Sequence, residues 1–196
     1  MAEGEKTAGM AVTPLQIDIL RLLSQRRKHA GESYVAGGIA LNQALHARRL
    51  SRDIDLFHDT DQALRHSWQA DRDVLVAAGY AVEPLREVPA FVEASVAKDR
   101  DAILIQWARD SAFRFFALIE DDLLGLTLHP FDLATNKVLA LVGRLEPRDW
   151  VDMLGCHATI QPLGYLAWAA CGKDPGFSPE FILDAAGRQR YSQPEI

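Results

Sequence analysis

The sequence predicts an α+β protein in which a small mixed β-sheet core precedes a helical C-terminal domain. Two observations predict it. Strand-like apolar runs fall between residues 34 and 108 with helical stretches among them. From Pro130 onward the apolar spacing is helical alone, with Phe131, Ala134, Val138, Leu141 and Val142 on one stripe. The boundaries this predicts are a disordered tail over residues 1–12, an α/β core over 13–128 and a helical domain over 129–196.

The first predicted helix covers residues 13–28. Thr13 suits the N-cap and Pro14 the first turn, and Leu15, Ile19, Leu22 and Leu23 recur at helical spacing. Tyr34-Val35-Ala36 reads as a short strand running into Gly37-Gly38, and residues 39–47 as a helix with Leu41 and Leu45 on one side. Residues 53–57 form the next predicted strand. Thr60 or Asp61 then caps a helix that ends at Gly79. Residues 80–88, 91–97 and 102–108 read as three further strands, the last carrying Ile103, Leu104, Ile105 and Trp107. In the helical part, Pro147 opens a second helix with Trp150, Val151, Leu154 and Ala158, and Pro162 and Pro179 punctuate two more.

Composition excludes several classes. No apolar run reaches the roughly 18 residues of a membrane span, and the first ten residues lack the apolar centre of a signal peptide. A cytoplasmic protein without membrane contact is expected. Cys156 and Cys171 have no CxxC spacing and read as free thiols. None of the six histidines has metal-site spacing. A net charge of −6 argues against a protein that coats nucleic acid, although Arg21, Arg26, Arg27 and Lys28 cluster near the start and Arg48, Arg49 and Arg52 lie near the second strand. If RNA is bound, neutralising Arg26 and Arg27 is expected to flatten the salt dependence of binding.

The chemistry is concentrated in Gly37-Gly38 and, fifteen residues after Gly38, in Asp53-Ile54-Asp55. Side chains alternate along a strand, so Asp53 and Asp55 share a face. Two carboxylates on one face repel unless a cation lies between them, and Mg²⁺ is the usual cation where phosphates also bind. Glycines let a backbone approach a triphosphate. The pattern is what phosphoryl or nucleotidyl transfer requires, with Asp53 and Asp55 as metal ligands and an NTP as substrate. Ser51 is placed to donate to a phosphate or to a ligating carboxylate, and Arg49 or Arg52 to hold phosphate oxygens. A second group contains Lys137 and Arg144 on one helical face, with Asp149 and Asp152 three apart on the next helix. It reads either as a triphosphate contact through Lys137 or as an interhelical ion-pair set.

The three blocks GGIAL, RLSRDIDLF and DLATNKVLALVGRLEPRDWVDM, spread over residues 34–154, resemble the AbiEii/AbiGii-type nucleotidyltransferase toxins of the DNA polymerase β-like nucleotidyltransferase superfamily. The resemblance implies a nucleotidyltransferase core with an NTP–Mg²⁺ site, in the toxin of a bacterial toxin–antitoxin or phage-defence pair. It implies a cognate antitoxin as partner. The candidate acceptors are tRNA, a protein side chain and a small molecule, and the basic clusters lean towards RNA. By position, Gly37 and Gly38 would cradle phosphate, Asp53 and Asp55 bind metal, Lys137 contact the triphosphate and Asp149 sit near the catalytic cleft. Two positions depart from the family pattern. Ile39 stands where a hydroxyl residue is usual. Gln106 stands where a third carboxylate is expected, and an amide takes no proton at neutral pH. Asp101 and Asp110, at strand ends, are the nearest replacements. A catalytically silent nucleotide-binding or protein-interaction module, and a small-molecule nucleotidyltransferase of the antibiotic-modifying kind, are the alternatives.

Overall fold

The computed structural model describes residues 12–144 and 146–188; of the expected tail, only Val12 is among them. The chain divides into two compact units, Met1–Ala112 with Ala117–Leu128, and Phe113–Phe116 with His129–Ile196.

The first unit is built on a seven-stranded sheet in the order β3-β4-β5-β2-β1-β7-β6. Its elements are α1 (Pro14–Ala30), β1 (Tyr34–Val35), α2 (Gly37–Ala44), β2 (Asp53–His58), α3 (Asp61–Ala77), β3 (Ala81–Val88), β4 (Phe91–Lys98), β5 (Asp101–Arg109), β6 (Ile119–Asp121) and β7 (Gly125–Thr127). The sheet is mixed: β2 runs parallel to β5 and β1 parallel to β7, and the remaining pairs are antiparallel. Strands β6 and β7 are absent from the sequence reading because three residues are too few to display alternation. Asp121 makes their turn instead, accepting from the Leu123 and Leu124 amides at 2.8 and 2.7 Å.

Each sheet face has its own chemistry. Ile54, Leu56, Val92, Ala94, Val96, Ile105 and Trp107 are buried on one side. Helix α3 covers that side, where Trp68 meets Trp107 edge-on at 4.8 Å. The alternate residues, among them Asp53, Asp55, Phe57, Gln106, Glu93 and Phe91, are only half-buried and form the open face.

Under the covered face lies a polar network. Asp71 is 2% exposed and accepts from Trp107 Nε1 at 3.0 Å, Ser67 Oγ at 3.4 Å and Arg26 Nη1 at 3.0 Å. Burial pushes its carboxyl up, against the pull of Arg27 and Arg26 and the hydrogen bonds. Arg27 is itself 2% exposed and donates to the Leu124 carbonyl at 2.6 Å and to Ser33 Oγ at 3.3 Å. Burial lowers its pKa to about 10. The reading of Arg26 and Arg27 as an RNA-facing pair is therefore corrected: Arg27 is buried and Arg26 is tied to Asp71, so both hold the fold.

His58 closes the same layer. It is fully buried, with Nδ1 3.2 Å from the Ala108 carbonyl. Burial lowers its pKa from 6.5 to about 4, helped by the positive charges of Arg27 and Arg26. The folded chain thus keeps His58 neutral while the unfolded chain protonates it near 6.5, so stability falls as pH drops from about 6.5 towards 4. The expected loss from this residue is about 2 kcal/mol by pH 5. Urea unfolding at pH 7 and pH 5 checks it: His58→Asn is to lose about that much less than the wild type, and an equal loss contradicts the assignment.

The second unit is helical, with α4 (Pro130–Arg144), α5 (Pro147–Thr159), α6 (Leu163–Lys173) and α7 (Pro179–Arg188). Its core includes Val138, Leu141, Met153, Cys156, Leu166, Ala170 and Ile182, all buried. The Phe113–Phe116 segment is fixed by Asp132, whose two oxygens accept from the Phe115 and Phe116 amides at 2.9 and 3.1 Å. Lys173 Nζ neutralises that carboxylate at 2.8 Å. Both cysteines are free, and burial pushes the Cys156 thiol up to about 12.

Candidate active site

The open face of β2 presents Asp53 and Asp55 side by side, as the alternation requires. The glycine pair meets them from the β1 side. Helix α2 begins at Gly37, two residues earlier than its apolar spacing suggests, so the glycines form its first turn. Gly37 has φ +61°, a left-handed conformation open to glycine. It also has no room for a side chain. A Cβ there would overlap the Asp55 carboxylate and lie 2.6 Å from its Cγ and 2.9 Å from its Cβ. The backbone joins in, with the Ala36 amide donating to the Asp55 carbonyl at 3.1 Å.

Gly38 repeats the arrangement with Ser51. A Cβ on Gly38 would lie 2.6 Å from Ser51 Oγ. Ser51 is buried and donates from Oγ to Asp53 Oδ1 at 3.2 Å. Its carbonyl accepts from Gln16 Nε2 at 2.9 Å, while Gln16 Oε1 accepts from the Thr13 amide at 2.7 Å. The capping box of α1 therefore anchors the strand that carries the carboxylates. Asn42 of α2 donates to the Arg49 carbonyl at 2.6 Å and fixes the loop before Ser51. Gly37, Gly38, Ser51, Asp53 and Asp55 are thus brought together, with Arg49 in the adjoining loop.

The two departures read from the sequence have definite places. Ile39 is 1% exposed and belongs to the core. Gln106 lies in register with Asp55 on the neighbouring strand, and its Nε2 donates to Glu93 Oε2 at 2.8 Å. Asp101 is exposed at the start of β5, and Asp110 follows its end, its amide donating to the His58 carbonyl at 3.0 Å. Among the described residues no group of three or more His, Cys, Asp or Glu side chains is placed to hold a metal ion. A pair of carboxylates still suits Mg²⁺, which keeps waters and takes phosphate oxygens for its other ligands.

In the helical unit, Lys137, Arg144, Asp149 and Asp152 make one ion-paired group. Lys137 Nζ is 2.9 Å from Asp149 Oδ1 and 3.0 Å from Asp152 Oδ2. Arg144 grips Asp149 with Nε at 2.7 Å and Nη2 at 2.8 Å. Burial of Asp149 favours its neutral form, but the hydrogen bonds from Arg144 and Lys137 outweigh it and hold the carboxyl below its usual value. Sequence spacing indicated both pairs; that one lysine joins both carboxylates depends on the packing of α4 on α5. The contacts of Gln16 with Ser51 and of Glu93 with Gln106 had no local signal, since they join segments 35 and 13 residues apart, and the Asn42–Arg49 contact depends on how the loop after α2 folds back.

No protein-family model and no curated protein matches the chain. Solved structures do resemble it. A nucleotidyltransferase candidate from H. pylori matches with a TM-score of 0.56 at 11% identity, over 88% of this chain and 91% of that one. JHP933 from Helicobacter pylori matches with a TM-score of 0.57 at 11% identity, over 90% of each chain. MenT4, a nucleotidyltransferase toxin from Mycobacterium tuberculosis, matches with a TM-score of 0.61 at 15% identity, over 92% of this chain and 71% of its own. With its mixed sheet and the helical segment that follows it, this chain has the nucleotidyltransferase fold.

Proposed function

We propose that the chain is a Mg²⁺-dependent nucleotidyltransferase that moves a nucleotidyl group from an NTP to an acceptor hydroxyl. The observation that carries this is the contact of Gly37 with Asp55 and of Gly38 with Ser51, beside the Asp53–Asp55 pair. Asp53 and Asp55 would hold the metal. Mg²⁺, when bound, offsets charge on the triphosphate and lowers the pKa of the attacking hydroxyl. The first turn of α2 has no side-chain cap and would offer its backbone N–H groups to phosphate, with Ser51 and Arg49 as further phosphate contacts. The motif resemblance adds Lys137 as a triphosphate contact, with Asp149 setting its amine. It also supports a narrower reading: a toxin of the AbiEii type, paired with an antitoxin and acting on RNA such as tRNA. The likeness to the MenT4 toxin agrees with that reading. A second reading, a nucleotide binder without turnover, is favoured by Gln106 standing beside Asp55.

Label transfer tests both. Wild-type protein is incubated with each α-labelled NTP, Mg²⁺ and total cellular RNA, beside the Asp53→Ala/Asp55→Ala variant. Label is expected in RNA with the wild type, falling more than about a hundredfold in the variant. The variant is to remain folded, with an unchanged or slightly higher Tm, because two like charges are removed. Undiminished transfer by the variant would place the chemistry elsewhere. NTP binding without label in any fraction would select the second reading.

A further inference from the structure

One row of the open face extends beyond the carboxylates. In register across five strands stand Val88, Phe91, Ala108, Phe57 and Tyr34, from β3 to β1. Ala108 is the small member, and the two phenylalanines flank it on the neighbouring strands. Each ring is backed on its outer side. Tyr34 stacks on Phe57 with ring planes 24° apart, and the guanidinium of Arg86 on β3 lies 5.4 Å from the Phe91 ring centre. Phe57 and Phe91 thus flank Ala108 in register, and all three are half-buried.

We propose that the space over Ala108, between Phe57 and Phe91, is a slot for one unpaired nucleobase of the acceptor, walled by the two rings and floored by Ala108. The proposal rests on the nucleotidyltransferase reading above. Strands two places apart are separated by about 9–10 Å. A flat ring in van der Waals contact on both sides needs about 7–8 Å, so a base fits with a slight inward lean of the two phenylalanines. Aromatic residues on an open sheet face are a recurrent platform for unpaired bases. Position selects the acceptor over the NTP. Gly37, Gly38 and Ser51 reach the Asp pair from the β1 side, whereas the slot lies towards β5 and β4. In transfer, the acceptor hydroxyl oxygen bonds to the α-phosphorus as the bond to pyrophosphate breaks. Pyrophosphate leaves with the electron pair, and the hydroxyl proton passes to water. Attacking and leaving oxygens lie roughly in line, so an acceptor held opposite the phosphate cradle is correctly placed.

Photocrosslinking tests the slot without requiring turnover. A short single-stranded oligoribonucleotide ending in 5-iodouridine is irradiated with wild type, Ala108→Trp, Phe57→Leu/Phe91→Leu and Asp53→Ala/Asp55→Ala, and crosslinked peptides are mapped; 5-iodo-UTP is run in parallel. The oligonucleotide is expected to mark Phe57 or Phe91. Yield should fall at least tenfold when the indole of the Ala108→Trp variant fills the slot or when the rings are removed, and persist without the two aspartates. The paired leucine variant keeps the test valid should the Ala108 variant fail to fold. Crosslinks elsewhere, none at all, or an undiminished yield in both slot variants overturn the proposal, as does marking of Phe57 or Phe91 by 5-iodo-UTP. A wild type that crosslinks here but transfers no label would reject the catalytic reading and leave the slot standing.

Discussion

Gly37→Ala is expected to destabilise the protein by about 3 kcal/mol and to abolish the proposed nucleotidyl transfer. Two costs combine. A left-handed backbone costs a non-glycine residue about 1–2 kcal/mol, and overpacking adds about 1–3 kcal/mol. At φ +61° the new methyl meets the Asp55 carboxylate, which must swing out of line with Asp53. The two costs separate in a double-mutant cycle by urea unfolding. In an Asp55→Gly background, which also removes the Cβ at 2.9 Å, the steric part disappears, and Gly37→Ala should then cost only about 1–2 kcal/mol. An identical cost in both backgrounds would mean that the glycine is needed for its backbone conformation alone.

Asp149→Ala is expected to cost about 3–5 kcal/mol, the usual penalty for removing one member of a buried ion pair. Asp149 is fully buried and receives hydrogen bonds from Lys137 and Arg144. Its loss leaves Lys137, 8% exposed, with Asp152 at 3.0 Å as its remaining close carboxylate. Lys137→Met should accordingly cost less in the Asp149→Ala background than in the wild type. A loss below about 1 kcal/mol for Asp149→Ala would show the group to be ornamental to the fold, and any loss of activity would then belong to chemistry. Its ionisation points the same way, since the carboxyl is held charged by its cationic partners.

Strong local periodicity was easy to read, and so were the elements it marks. Helix α1 follows from Thr13, Pro14 and its apolar spacing, and β2 from alternation around Asp53 and Asp55. The Asp pair was legible for the same reason, because two residues on one strand share a face whatever the rest of the chain does. Features that depend on distant segments were not. Arg27 looks like a surface cation until Leu124 and Ser33 are folded against it. The first turn of α2 is set by Asp55 and Ser51 filling the space beside two glycines, which no helix propensity encodes. The row from Val88 to Tyr34 needs the register of five strands, and register is a long-range property.

The Phe113–Phe116 segment has a consequence for biosynthesis. It belongs to the helical unit, yet Ala117–Leu128, which follows it, returns to the sheet unit. The polypeptide therefore passes from one unit to the other three times, and no single cleavage yields two intact pieces. On the ribosome, residues 113–116 emerge before their clamp, Asp132, has been made. A chain truncated after Leu128 would carry three phenylalanines that lack their native anchor, a ready target for chaperones and proteases. Separating the two units along the chain would take three cuts, one at each crossing, rather than a simple division at the composition boundary.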